Sequence, residues 1–319
     1  MRYIGRKTKL LAFIHKVLNT CEGKTVFDCC AGTGSVSLDL SQNNYKVICN
    51  DILYLSQVLC KGKHTKRKKV EAAKKLIEKF NEEMKGVEGY IFKNYSEESG
   101  RLYFTNDNAK YIDYYLERIE GVKDIEIKTY LRYCLLEAVS KISNIAGVYG
   151  AYLKNISENA KKKIQLNVEE SYESNNVKYY NNDISEIIES VECDILYIDP
   201  PYNGRQYGSN YHVLETIALN DKPEVLRGMT GQRQTMSSDF CSKRRAYEYL
   251  ENIVHKTKAR YILISYNSEG ILKKEEFEKI GKKYKKVECY EEEYKRFKSN
   301  TNGKQNKSVI EYLFKIEKI

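Results

Sequence analysis

Asp199-Pro200-Pro201-Tyr202 is the stretch of this sequence that holds the most chemistry for its length. Only three prolines occur in 319 residues, and two of them stand here side by side. Proline fixes φ and removes a backbone donor, so the carbonyl at Pro200 is left to accept from a ligand. With the Asp199 carboxylate it makes a small acceptor surface, able to receive both N–H groups of an exocyclic amine. That pull raises electron density on the nitrogen as its bonding turns towards tetrahedral, which readies it to attack a methyl group. Tyr202 adds a flat face on which a base can stack once it has left a duplex. A turn that merely ends a strand is the alternative, and position in the fold decides between them.

A second constellation lies near the start of the chain. In "FDCCAGTGSVS" the glycines Gly32 and Gly34 sit where a strand hands over to a helix, and a bare backbone there lets a ligand approach closely. The spacing is G-x-G, without the third glycine of a dinucleotide fingerprint or the lysine of a phosphate loop. Asp51 closes the next strand about twenty residues later, where a carboxylate can accept both hydroxyls of a ribose. A nucleoside cofactor that lacks a pyrophosphate fits both features, and S-adenosylmethionine is such a molecule. Asp28 has two readings, a hold on the methionine ammonium or a cap on the turn through backbone N–H groups.

These residues need strands that end at one edge. "TVFDCC", "YKVICND", "VKYYNND" near 177–183, "CDILYID" and "ARYILISYN" read as buried strands of an α/β fold, with a parallel sheet. "KKVECYEEEY" and "SVIEYLFKIEK" read as a terminal antiparallel hairpin. Between them, residues 57–170 are rich in Lys, Glu, Leu and Ile at helical spacing and predict a helical insertion. The expected division is therefore 1–56 with 171–319 as one domain, and 57–170 as a second unit inserted in it.

A formal net charge of +10 argues for an anionic partner, nucleic acid before membrane. No run approaches the ~20 apolar residues of a membrane span, so a cytoplasmic protein with no membrane partner is expected. The nine cysteines and four histidines show no metal-ligand spacing, and no metal is expected. The wealth of Lys, Asn, Ile and Tyr suggests an A/T-rich, bacterial coding bias.

The motifs and their order resemble the alpha-class, Dam-like DNA adenine-N6 methyltransferases. "DPPY" at 199–202 is similar to their catalytic motif, "CAGTGS" at 30–35 to their cofactor loop, and "YIGRKTKLL" at 3–11 to the segment before it. The run "DPPYNGRQYGSNYHVLETIA" with "YILISYNSEG" resembles the FokI-type modification enzymes. The resemblance implies a Rossmann-like class I S-adenosylmethionine-dependent sheet and methyl transfer to N6 of a flipped adenine in double-stranded DNA. It implies Asp199, Pro200 and Tyr202 as the catalytic residues. It also implies that Tyr3 and Lys7 touch the cofactor, that Asp51 holds its ribose and that Asp183 accepts from its adenine amine. Asp183 is equally readable as a helix N-cap before "ISEII", and one carboxylate can do both. Cys30 stands where the family usually has Phe.

Extruding the base needs a basic surface, and "KGKHTKRKK" at 61–69 and "CSKRRAYEYL" at 241–250 are dense enough to meet phosphates, or to be solvated faces. Arg205, Gln206 and Tyr207 follow the catalytic motif closely enough to line the flipped-base pocket, and a surface turn is the alternative. Residues 57–170 occupy the family's target-recognition slot. The resemblance also implies a possible restriction endonuclease acting at the same site, with no stable complex required. Two rival readings stand beside this one: an RNA adenine-N6 methyltransferase using the same motif, and a catalytically inactive DNA-binding protein.

Overall fold

A computed structural model describes residue 5, residues 7–295 and residues 308–318. Seven strands form one sheet: β1 (Thr25–Asp28), β2 (Lys46–Cys49), β3 (Val177–Tyr179), β4 (Ile195–Ile198), β5 (Tyr261–Asn267), β6 (Lys286–Lys295) and β7 (Ser308–Glu317). Their order across the sheet is β3-β2-β1-β4-β5-β7-β6. The first five are parallel, and β7 pairs antiparallel with both β5 and β6. The fold is thus the mostly parallel sheet with a terminal hairpin that the sequence predicts. Residues 296–307, the greater part of the hairpin's predicted polar loop, lie outside the described residues.

The central strands read as unbroken apolar runs because both sheet faces are covered. Side chains alternate across the pleat, so Val26, Ile195, Tyr197 and Leu263 enter one core, under helices α1 (Leu11–Leu18) and α2 (Ser35–Gln42). Phe27, Leu196, Ile198, Ile262 and Ile264 enter the other. That core is closed by α8 (Ile184–Ile187), α10 (Ala246–Lys256) and α11 (Lys274–Gly281).

A third core belongs to α3 (Tyr54–Lys63), α4 (Arg67–Glu82), α5 (Tyr90–Tyr95), α6 (Asn106–Glu120) and α7 (Ile125–Ile142). It is continuous with α9 (Tyr207–Leu219), which contributes Tyr211, Val213, Leu214 and Ile217. The α9 carboxylate Glu215 accepts from the Tyr54 and Leu55 amides at 3.0 and 2.7 Å, capping α3 from outside.

The helices start at Tyr54 and stop at Ile142, short of the expected 170. Residues 143–176 hold no helix and no strand. Asparagine side chains bind this segment to the helices: Asn81 donates to the Leu166 carbonyl at 2.9 Å and accepts from its amide at 3.1 Å. Asn108 accepts from the Ile164 amide at 2.9 Å in the same way. Ile164 and Leu166 are buried by these clamps, so an apolar pair at i, i+2 here marks an extended segment.

Candidate active site

The carboxyl ends of β1, β2, β3 and β4 meet at one edge, where the chain order reverses about β1 and β4. Ligands of open α/β sheets bind at that position. A cleft of about 950 Å³, including space open to solvent, lies there. Its lining brings together Lys7, Asp28, Gly32, Asp51, Asp183 and the Asp199–Tyr202 stretch, with Gln206 and Tyr207. Residues 171 positions apart in sequence, Asp28 and Asp199, therefore share one site.

At its centre the buried Lys7 ammonium lies 3.1 Å from Asp199 Oδ1 and 3.6 Å from Glu311 Oε2. Burial pushes the ammonium down, but the two carboxylates outweigh that and hold it above its ordinary value. Loss of water pushes the Asp199 carboxyl up to about 6, against the pull of Lys7. Lys7 also lies 6.0 Å from the centre of the Tyr202 ring. Tyr202 meets the edge of Tyr266 at 86°, and its carbonyl accepts from the Ile271 amide at 2.9 Å, which fixes the loop after the prolines. Tyr3 lies outside the described residues.

The glycine turn is held by Asp51, whose Oδ2 accepts from the Gly32 amide at 2.8 Å and Oδ1 from the Leu53 amide at 2.9 Å. Burial raises its carboxyl, and those amides oppose the rise. Each oxygen keeps a second lone pair, so the carboxylate still has the capacity to accept two ribose hydroxyls. Gly32 lines the cleft, whereas Gly34 does not. Gly34 instead begins α2 with φ of +71°, and a Cβ there would come within 2.6 Å of Cys60 Sγ. Its glycine is required by the turn and by α3.

Asp28 is held chiefly by Ser37, whose backbone and hydroxyl both favour its charged form. Its Oδ2 accepts from the Ser37 hydroxyl at 2.6 Å, while Oδ1 is buried without a hydrogen-bond partner among the described residues. Burial lifts its carboxyl to about 7. An orphaned acceptor on the cleft wall fits a cationic amino group. Asp183 is the N-cap of α8: its Oδ1 accepts from the Ser185 amide at 2.9 Å, the Ser185 hydroxyl at 2.7 Å and the Tyr249 hydroxyl. All of these go to one oxygen, and the residue lines the cleft, so the cap leaves Oδ2 for a further donor. Cys30 also lines it. Its thiol is pushed well up by its contact with Cys29, 3.9 Å away, and by burial, which makes it a packing group rather than a nucleophile.

Arg205, Gln206 and Tyr207 part company. Tyr207 and Gln206 face the cleft, but the Gln206 amide is clamped to Ser238, accepting from its amide at 2.8 Å and donating to its carbonyl at 3.1 Å. Gln206 thus anchors the loop that supplies Met236, Ser238 and Phe240 to the lining. Arg205 is exposed, stands in a turn closed by Asn203 at 3.0 Å, and lines a neighbouring cavity instead. The basic run at 61–69 divides likewise. Lys66, Arg67 and Lys68 are exposed, whereas Lys63 is buried and donates to the Thr33 carbonyl, and Lys69 pairs with Asp124. Lys243 and Arg244 are exposed beside the Arg245–Asp239 pair.

Two residues of the site were missed by the sequence reading. Glu311 reaches Lys7 only because β7 returns to lie beside β5, opposite Asn267. Asn50 donates to the Cys29 and Asn182 carbonyls at 3.2 and 3.0 Å, tying three strand ends together. Its place directly before Asp51 was the one available hint. Among the described residues no cluster of His, Cys, Asp or Glu could hold a metal, and no helix is long and apolar enough to cross a membrane.

The family model described as D12 class N6 adenine-specific DNA methyltransferase matches residues 3–280. Type II methyltransferase M.FokI of Planomicrobium okeanokoites is 40% identical over 347 residues, covering 100% of this chain and 53% of that protein. Type II methyltransferase M.NlaIII of Neisseria lactamica is 36% identical over 336 residues, covering 100% and 99%. Type II methyltransferase M.CviAII of Paramecium bursaria Chlorella virus 1 is 32% identical over 320 residues, covering 98% and 97%. The chain thus spans about half of M.FokI and nearly the whole of the other two.

Proposed function

The chain belongs to the D12 class N6 adenine-specific DNA methyltransferases, and from that membership we propose that it methylates N6 of an adenine extruded from double-stranded DNA at a specific sequence. The observation that carries this reading is the Lys7–Asp199 pair in the same cleft as the orphaned Asp28 oxygen. The same cleft offers acceptors for an amine and an acceptor for a cationic amino group.

S-adenosylmethionine supplies an activated methyl on a sulfonium. In this reading Asp28 Oδ1 takes its amino group, Asp51 its ribose and Asp183 Oδ2 its adenine amine, while Gly32 leaves room at the turn. Tyr202 stacks on the extruded adenine. Asp199 and the Pro200 carbonyl accept the two N6 protons and aim the nitrogen lone pair at the methyl carbon. Lys7 keeps Asp199 ionised and in place. Bound there, S-adenosylmethionine would supply the methyl and keep the sulfur–carbon bonding pair on sulfur, and Asp199, already accepting an N6 hydrogen, would take the proton and pass it to solvent. Residues 57–170 form the target-recognition unit, Tyr207 borders the extruded base, and Gln206 holds the loop beside it, while Arg205 lies outside the cleft.

In the cell this is the modification partner of a type II restriction system, protecting DNA from a nuclease that acts at the same sequence without a stable complex. Transfer of labelled methyl from S-adenosylmethionine to duplex DNA, single-stranded DNA and RNA tests the reaction. Incorporation into duplex DNA, recovered as N6-methyladenine, is the expected result. Equal incorporation into RNA would move the substrate to RNA. DNA binding with no transfer to any of the three would leave a binding protein.

A further inference from the structure

Beside the catalytic cleft, and sharing Gln206 with it, is a second, wider cavity. We propose that this cavity, lined among others by Gly147, Gly150, Arg205, Asn210 and Gln232, is a second nucleobase site that reads a base next to the methylated adenine through the Asn210 side-chain amide. The inference rests on the DNA reading above and adds to it the group that makes the contact.

Asn210 is 5% exposed and lines the cavity, and its hydrogen bonds to Gln206 and Tyr149 run through its backbone. Its side-chain amide faces the cavity and keeps its donors and acceptor for a ligand there. Its Oδ1 lies 3.6 Å from where a Cβ on Gly150 would stand, an ordinary contact between the 143–153 segment and α9. The backbone is arranged around it as well. Helix α9 is kinked at Tyr211, with φ of −126° and ψ of 17°. The Asn210 carbonyl accepts from the Tyr149 amide at 2.7 Å, and His212 Nε2 lies 2.9 Å from the Tyr149 carbonyl. Tyr103 donates its hydroxyl to the same carbonyl at 2.7 Å. The kink therefore clasps the 143–153 segment against α9 and fixes the cavity's two walls.

An amide presents one acceptor and a donor pair side by side. That matches a base edge with an acceptor next to a donor, as adenine shows at N7 and N6. Gln232 also lines the cavity and carries the same pair on its side chain, while its backbone is engaged with Arg227. Arg205, exposed at the rim, is placed for a phosphate or a guanine edge. The shared Gln206 puts this site directly beside the one that takes the methylated adenine.

The test is steady-state methyl transfer to duplex oligonucleotides in which each base pair flanking the target adenine is replaced in turn. Wild type, Asn210→Asp and Gln232→Ala are compared, with S-adenosylmethionine affinity measured in parallel. Asn210→Asp keeps the size and removes the donors, and Gln232→Ala gives a second reading should the first fail to fold. The expected result is a loss of about tenfold or more in discrimination at one flanking position, through KM for DNA, with cofactor affinity unchanged. Wild-type discrimination at every position in both variants would overturn the second site. No transfer by wild type to any duplex would overturn the DNA reading itself, and the site with it.

Discussion

Asp199 stands between burial, which disfavours its charge, and Lys7 at 3.1 Å, which favours it. The ionised form is the stronger acceptor for an N6 hydrogen and the one able to take its proton, so kcat is expected to fall as pH drops through about 6. Lys7→Met removes the group that holds the carboxyl down, and the acid limb of the pH–rate profile should move to higher pH. A limb that stays in place would show that Lys7 does not tune Asp199. Asp199→Ala should abolish transfer while leaving S-adenosylmethionine affinity within a few-fold, and residual methylation would contradict its role. Asp28 makes a different prediction. With its carboxyl near 7 and largely protonated below that, capture of a cationic amino group must release a proton. Calorimetry at pH 6 in buffers of different ionisation enthalpy should register that release, and Asp28→Asn should remove it. A proton count of zero in wild type would place the amino group elsewhere.

At the scale of elements, the motifs depend on joints between the sheet and the helices that pack on it. Glu215 of α9 caps α3, and α3 in turn packs Cys60 against Gly34 at the cofactor turn. Glu215→Ala leaves two amides of a helix start unpaired, and a loss of about 2 kcal/mol of stability is expected. Urea unfolding checks it, and an unchanged midpoint would mean that α3 needs no cap from α9. The same joints mark what the sequence could reveal. The strands β1, β2, β4 and β5 were legible as apolar runs ending in Asp, Asn or Gly, and the ligand edge followed from those endings. Asp183 was legible as a cap because "DISEI" has the composition of a helix start, whereas a place at the site came only from the resemblance. Residues 143–176 were not, since asparagine side chains on α4 and α6 bind them, and local periodicity carries no trace of such distant partners. Glu311 was hidden for the same reason, its meaning set by strand pairing.

Over the whole molecule, the charge of +10 is spread over surfaces that differ in use. Part of the basic run at 61–69 is structural, and its exposed share is Lys66, Arg67 and Lys68. Replacing these three by Ala should weaken DNA binding across sequences and flatten its salt dependence, by about one unit of slope for each phosphate left without its cation. An unchanged slope would assign phosphate binding to another face, with Lys243 and Arg244 next in line. The central claim, that this chain methylates adenine N6 at one DNA sequence, is tested most directly by expressing it in a bacterium without adenine methylation of its own. N6-methyladenine is then mapped across the genome by single-molecule sequencing. The account predicts methylation at a single short motif that disappears with Asp199→Ala. Soluble wild-type protein that binds S-adenosylmethionine yet leaves every adenine in the genome unmodified would contradict it.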